Sequence, residues 1–86
     1  MAAIGHITVA SAGTPVQGPD VSNEDGFLLR MYTTGETGWF FPWGETAADD
    51  GAIVDTAGWS YTAITNLADL GFDAETNGDE IAYVKA

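Results

Sequence analysis

The stretch Gly26-Phe27-Leu28-Leu29-Arg30-Met31-Tyr32-Thr33-Thr34 decides the fold class. Phe27, Leu29 and Met31 alternate with Leu28, Arg30 and Tyr32, the period of two that sends successive side chains to opposite faces of a sheet. Both sets are apolar enough to predict a central strand. Downstream, Thr34-Gly35-Glu36-Thr37-Gly38 reads as a turn, and Trp39-Phe40-Phe41 as a strand ending at Pro42. Upstream lies a polar loop, Gly18 to Asp25, preceded by a short extended piece at Val16-Gln17. Ala12-Gly13-Thr14-Pro15 separates that piece from an opening strand, Ile4 to Ser11, in which Ile7 and Val9 share one side. Pro15 suits an edge or a strand start, because it offers no N–H to a ladder.

The second half follows the same rhythm. Gly44 to Gly51 is an acidic loop, and Ala52 to Asp55 and Trp59 to Ala63 read as shorter strands. Thr65 to Asp73 is ambiguous. Leu67, Leu70 and Ala74 fit a helical spacing, while Gly71 and the flanking strands favour an extended segment or a single helical turn. Asp79 to Lys85 alternates Ile81 and Tyr83 against Ala82 and Val84, and Asn77-Gly78 before it is the strongest hairpin signal in the chain. Turn signals recur roughly every eight to twelve residues, which predicts an all-β protein, a small antiparallel β-sandwich or barrel of about six to eight short strands. Residues 1–86 read as a single β domain with a short extended N-terminal arm, about residues 1–5.

Thirteen carboxylates face two cations, Arg30 and Lys85, for a net charge of −11. Such acidity often accompanies disorder, but 45% of the residues are hydrophobic, enough to offset the entropy of ordering the backbone. The charge predicts no direct contact with nucleic acid and none with anionic membranes, since both recognise Lys and Arg. The chain has no Cys, so no disulfide can reinforce a domain of 9.0 kDa. Small domains of this kind lean on partner surfaces or ions. Met1-Ala2-Ala3-Ile4-Gly5-His6 has neither the basic nor the apolar region of a secretory signal, and no apolar run has membrane-helix length. A soluble protein is expected.

Candidate chemistry is sparse. Asp73-Ala74-Glu75-Thr76-Asn77-Gly78 has the oxygen spacing that starts a calcium loop, but the position that should supply a bidentate Glu is Val84; a solvated acidic turn is expected. Glu45, Asp49, Asp50 and Asp55 bring four carboxylates together. A glycosidase needs such a pair, but also a sugar cleft that this length hardly allows. His6, the only imidazole, lacks the second nitrogen or sulfur ligand of a transition-metal site and reads as an arm residue. No cofactor is expected, beyond weak cation binding by the acidic loops. The concentrated feature is Trp39-Phe40-Phe41-Pro42-Trp43-Gly44. Alternation gives Trp39, Phe41 and Trp43 one face and Phe40 the other. A thin sandwich has one core side, so some of these rings should meet a partner. The expected partner interface is Ile4, His6, Trp39, Phe41 and Trp43.

The run Gly5-His6-Ile7-Thr8-Val9-Ala10-Ser11-Ala12-Gly13-Thr14-Pro15-Val16-Gln17 resembles the first strand and turn of small β-sandwich virion proteins of tailed bacteriophages. Leu67 to Ala74 and Asn77 to Val84 are similar to the ending of that group, whereas Trp39 to Ala63 matches no pattern in it. The resemblance implies a non-enzymatic structural virion protein, a capsid decoration (cement) protein on the outer surface of a phage head. Its partner would be the major capsid protein or another virion protein, and it would act as a homo-oligomer on the particle. It would be made in the host cytoplasm and reside on the capsid exterior. The alternative is a tail, fibre or head–tail accessory module that binds a carbohydrate or receptor through Trp39, Trp43 and Trp59.

Overall fold

The structure is a computed structural model and describes residues 5–32, 37–45, 51–54 and 58–86. Its described strands are β1 (Gly5–Val9), β2 (Val16–Gln17), β3 (Phe27–Met31), β4 (Gly38–Pro42), β5 (Ala52–Val54), β6 (Ser60–Thr62), β7 (Leu70–Ala74) and β8 (Asp79–Lys85). They form two four-stranded sheets. The first has the order β1-β8-β3-β6 and the second β2-β7-β4-β5, and every pairing is antiparallel. The strand spacing predicted an all-β sandwich or barrel, and the observed fold is the sandwich. As the apolar character of both its faces predicted, β3 is central, between β8 and β6.

The core lies between the sheets. Ile7 and Val9 of β1, Phe27, Leu29 and Met31 of β3, and Ile81 of β8 pack against Val54, Leu70, Phe72 and Ala74 of the second sheet. Burying each large side chain of this set stabilises the fold by about 1.5–3 kcal/mol. Leu67 joins them from a 3-10 turn, Leu67–Asp69, whose first N–H groups are capped by Asn66 through a 2.9 Å bond from Ala68 N. The ambiguous segment thus resolves into one helical turn followed directly by β7.

The Asn77-Gly78 turn forms, with Gly78 at φ 83° and a 3.2 Å bond from Asp79 N to Thr76 O. It does not make a hairpin. Its flanking strands belong to different sheets, because Gly78 N donates to Val9 O at 2.8 Å and commits β8 to β1. Turn chemistry sets the local reversal; the sheet that receives the next strand depends on distant partners. The β1–β2 connection crosses between the sheets at the same end. Ala12 N donates to Asn77 Oδ1 at 2.8 Å and Gly13 N to Asp73 Oδ1 at 2.9 Å, so the two crossings are tied together. Asp73 also accepts from Ala74 N, and Asp79 from Thr76 N. Asp73, Glu75 and Asn77, whose spacing suggested a calcium loop, thus each accept from a backbone N–H through one oxygen.

Candidate functional site

Pairing register fixes which side chains share the outer face of the second sheet. Phe40 pairs with Phe72 and turns inward, so the opposite parity, Trp39 and Phe41 of β4, points out. Trp39 lies between Asp73 and Ile53, and Phe41 beside Gly71, which in turn pairs with Gln17 of β2. Trp43 follows β4 and is held there by a 2.9 Å bond from its N–H to Asp69 O. A Cβ on Gly71 would lie 2.7 Å from Phe41 Cε2 and 3.0 Å from Trp43 Cε3. Only glycine leaves both rings their places on the sheet.

The result is an aromatic shelf. Phe41 is 1% exposed, yet it stands outside the cluster between the sheets. It is the filled base of the shelf, while Trp43 at 46% and Ile53 at 61% exposure form its open surface. Trp39 is half-buried between them. A large apolar side chain already anchored on a sheet binds with little loss of side-chain freedom, the property that makes Trp a frequent energetic centre of interfaces. Glu45 and Asp69 are exposed beside the shelf, giving it an acidic rim.

Not every expected interface residue is here. Phe41 is a correction: its ring is covered by its neighbours over Gly71, so it supports the surface without presenting one. His6 is also corrected, since it is no arm residue. It pairs with Ala82 in β1, on the outer face of the other sheet, and its ring meets that of Tyr32 with centroids 4.2 Å apart. Gly5, expected in the arm, already belongs to β1 opposite Tyr83. Ile4 lies outside the described residues, as do Asp49, Asp50 and Asp55. Glu45, the fourth member of that carboxylate group, is exposed. Trp59 adjoins β6, the edge strand of the first sheet, so the three tryptophans do not form one row. Among the described residues, no group of three or more His, Cys, Asp or Glu is arranged to hold a metal ion.

Three exposed residues were not singled out by sequence reasoning: Ile53, Tyr32 and Tyr61. Alternation carried the signal for Tyr32, which follows the outward-facing Leu28 and Arg30. No protein-family model matches this chain, and neither curated proteins nor solved structures yield a match.

Proposed function

We propose that this chain is a non-enzymatic structural virion protein, a decoration protein that attaches to the outside of a tailed-phage capsid through the aromatic shelf of its second sheet. The observation that carries the reading is that Trp43 and Ile53 stand open to solvent on the outer face where Phe41 is buried and where Gly71 leaves room for the Phe41 and Trp43 rings. Sequence resemblance at both ends of the chain supplies the virion setting. Asp73 and Asp79 act as acceptors for backbone N–H groups, a structural use of the carboxylates best placed in the fold.

On this reading attachment is led by apolar burial. A central aromatic anchor costs about 2 kcal/mol or more when truncated, whereas an exposed ion pair contributes about 0–1 kcal/mol. The net charge of −11 favours approach to a basic surface and contributes less once contact is made. The testing experiment locates the chain in purified particles of the encoding phage, by antibody labelling and by a density map. The reading expects regular copies on the head exterior with the Trp43 side facing the major capsid protein. Its absence from particles, or binding of the isolated chain to a glycan array through Trp43, would overturn it in favour of a sugar-binding module.

A further inference from the structure

The chain has three asparagines, and only Asn77 precedes a glycine. That dipeptide carries its own chemistry. The backbone nitrogen that follows an asparagine can reach the side-chain carbonyl carbon and close a cyclic imide, and a glycine there has no side chain to hinder the approach. Glu24 after Asn23 and Leu67 after Asn66 do hinder it. Asn77 and Gly78 are both exposed, and the space where a Gly78 side chain would stand is open, so water reaches the reacting atoms. Both reacting groups are nevertheless held by other partners. Asn77 Oδ1 accepts from Ala12 N at 2.8 Å, and Gly78 N donates to Val9 O at 2.8 Å. Ring closure must turn the side-chain amide toward its own backbone and take the Gly78 proton from Val9 O. It competes with both bonds.

We infer that Asn77 is a site of spontaneous deamidation, which the folded chain holds back through the bonds that tie its two sheet crossings. In the reaction Gly78 N bonds to Asn77 Cγ, the Cγ–Nδ2 bond breaks, and the proton of Gly78 N leaves with that nitrogen as ammonia. Water then opens the imide at either carbonyl and leaves aspartate or isoaspartate at position 77. Isoaspartate routes the main chain through Cβ and Cγ, so the turn that sets Gly78 N on Val9 O loses its geometry. Either product adds a carboxylate where Asp73 already accepts from the next N–H, that of Gly13, and like charges so placed repel. Modification therefore loosens the end of the sandwich where β8 is committed to β1. The same end controls the rate, because chemistry that needs a locally open form proceeds in proportion to its population.

This inference does not rest on the proposed attachment to capsids, because it uses neither outer face. The test incubates the full chain in mildly alkaline buffer, with and without guanidinium chloride, and follows each asparagine by peptide mass spectrometry. In denaturant Asn77 should react first of the three, and in the folded chain it should react about tenfold or more slowly by comparison. Ala12→Pro isolates one of the two bonds. Thr14 N donates to Ser11 O at 3.0 Å and Gly13 has φ 83°, so Ala12 holds the first central position of a turn that accepts proline. The variant deletes the N–H and keeps the turn. With circular dichroism matching wild type, it should speed deamidation of the folded chain by about threefold or more, the worth of a single hydrogen bond. Equal rates at Asn77 with and without denaturant overturn the inference. So does a folded Ala12→Pro chain that reacts no faster than wild type, which would make the Ala12 N–H an activator of the carbonyl and not a restraint. If the variant misfolds, the wild-type comparison decides alone.

Discussion

The two outer faces of this sandwich carry exposed aromatic residues, but they hold them differently. On the second sheet the Phe41 and Trp43 rings both lie against Gly71, and Phe41 is buried although it belongs to no inter-sheet cluster. On the first sheet Tyr32 leans on His6, and Tyr61 reaches sideways to donate its hydroxyl to Asp25 O at 3.0 Å. One face is a packed apolar layer with acids at its rim. The other is a set of separate amphipathic contacts. The comparison teaches that exposure alone does not identify an interface; what lies under the exposed ring decides how rigid and how apolar the surface is.

The contrast can be broken by substitution. Phe41→Ala should destabilise the fold by about 3–5 kcal/mol, the cost of truncating a buried Phe. Denaturant unfolding checks this, and a loss below about 0.5 kcal/mol, the ordinary surface value, would mean the shelf has no packed base. Gly71→Ala should cost about 1–3 kcal/mol by overpacking and should change Trp43 fluorescence in the folded state. Unaltered emission and stability would show that the rings do not depend on the glycine. Tyr61→Phe, on the other face, removes a single partly exposed hydrogen bond and should cost about 0.5–1.5 kcal/mol. A loss as large as that of Phe41→Ala would erase the distinction between the faces.

Much of the fold was legible because most strands have one buried and one open side. β3 and β8 announce themselves by alternation, and the predicted span Asp79 to Lys85 coincides with the observed strand. β7 was obscured for the opposite reason. All five of its residues are buried, since Leu70, Phe72 and Ala74 face the core while Gly71 and Asp73 are covered from outside. A strand enclosed on both faces loses its period-two contrast. The site was legible to the level of parity: Trp39, Phe41 and Trp43 do stand opposite Phe40. Which of them would be covered depended on a glycine thirty residues downstream of Phe41, roughly one strand spacing away across the β4–β7 ladder. Sequence order does not display that proximity. His6 was misplaced because an apolar, Gly-containing N-terminus reads equally well as an arm or as a strand.

The proposed attachment joins the second-sheet shelf to a protein surface by apolar contact. On the proposed virion reading, the direct test adds purified wild-type and Trp43→Ala chains to phage particles that lack this protein, at low and at moderate salt, and measures occupancy. Tyr32→Glu serves as a control that alters only the other face. Trp43→Ala is expected to weaken binding by about 2 kcal/mol, roughly thirtyfold, and moderate salt to change wild-type occupancy only slightly. If moderate salt strips the wild-type chain while Trp43→Ala binds normally, attachment is electrostatic and apolar attachment is contradicted.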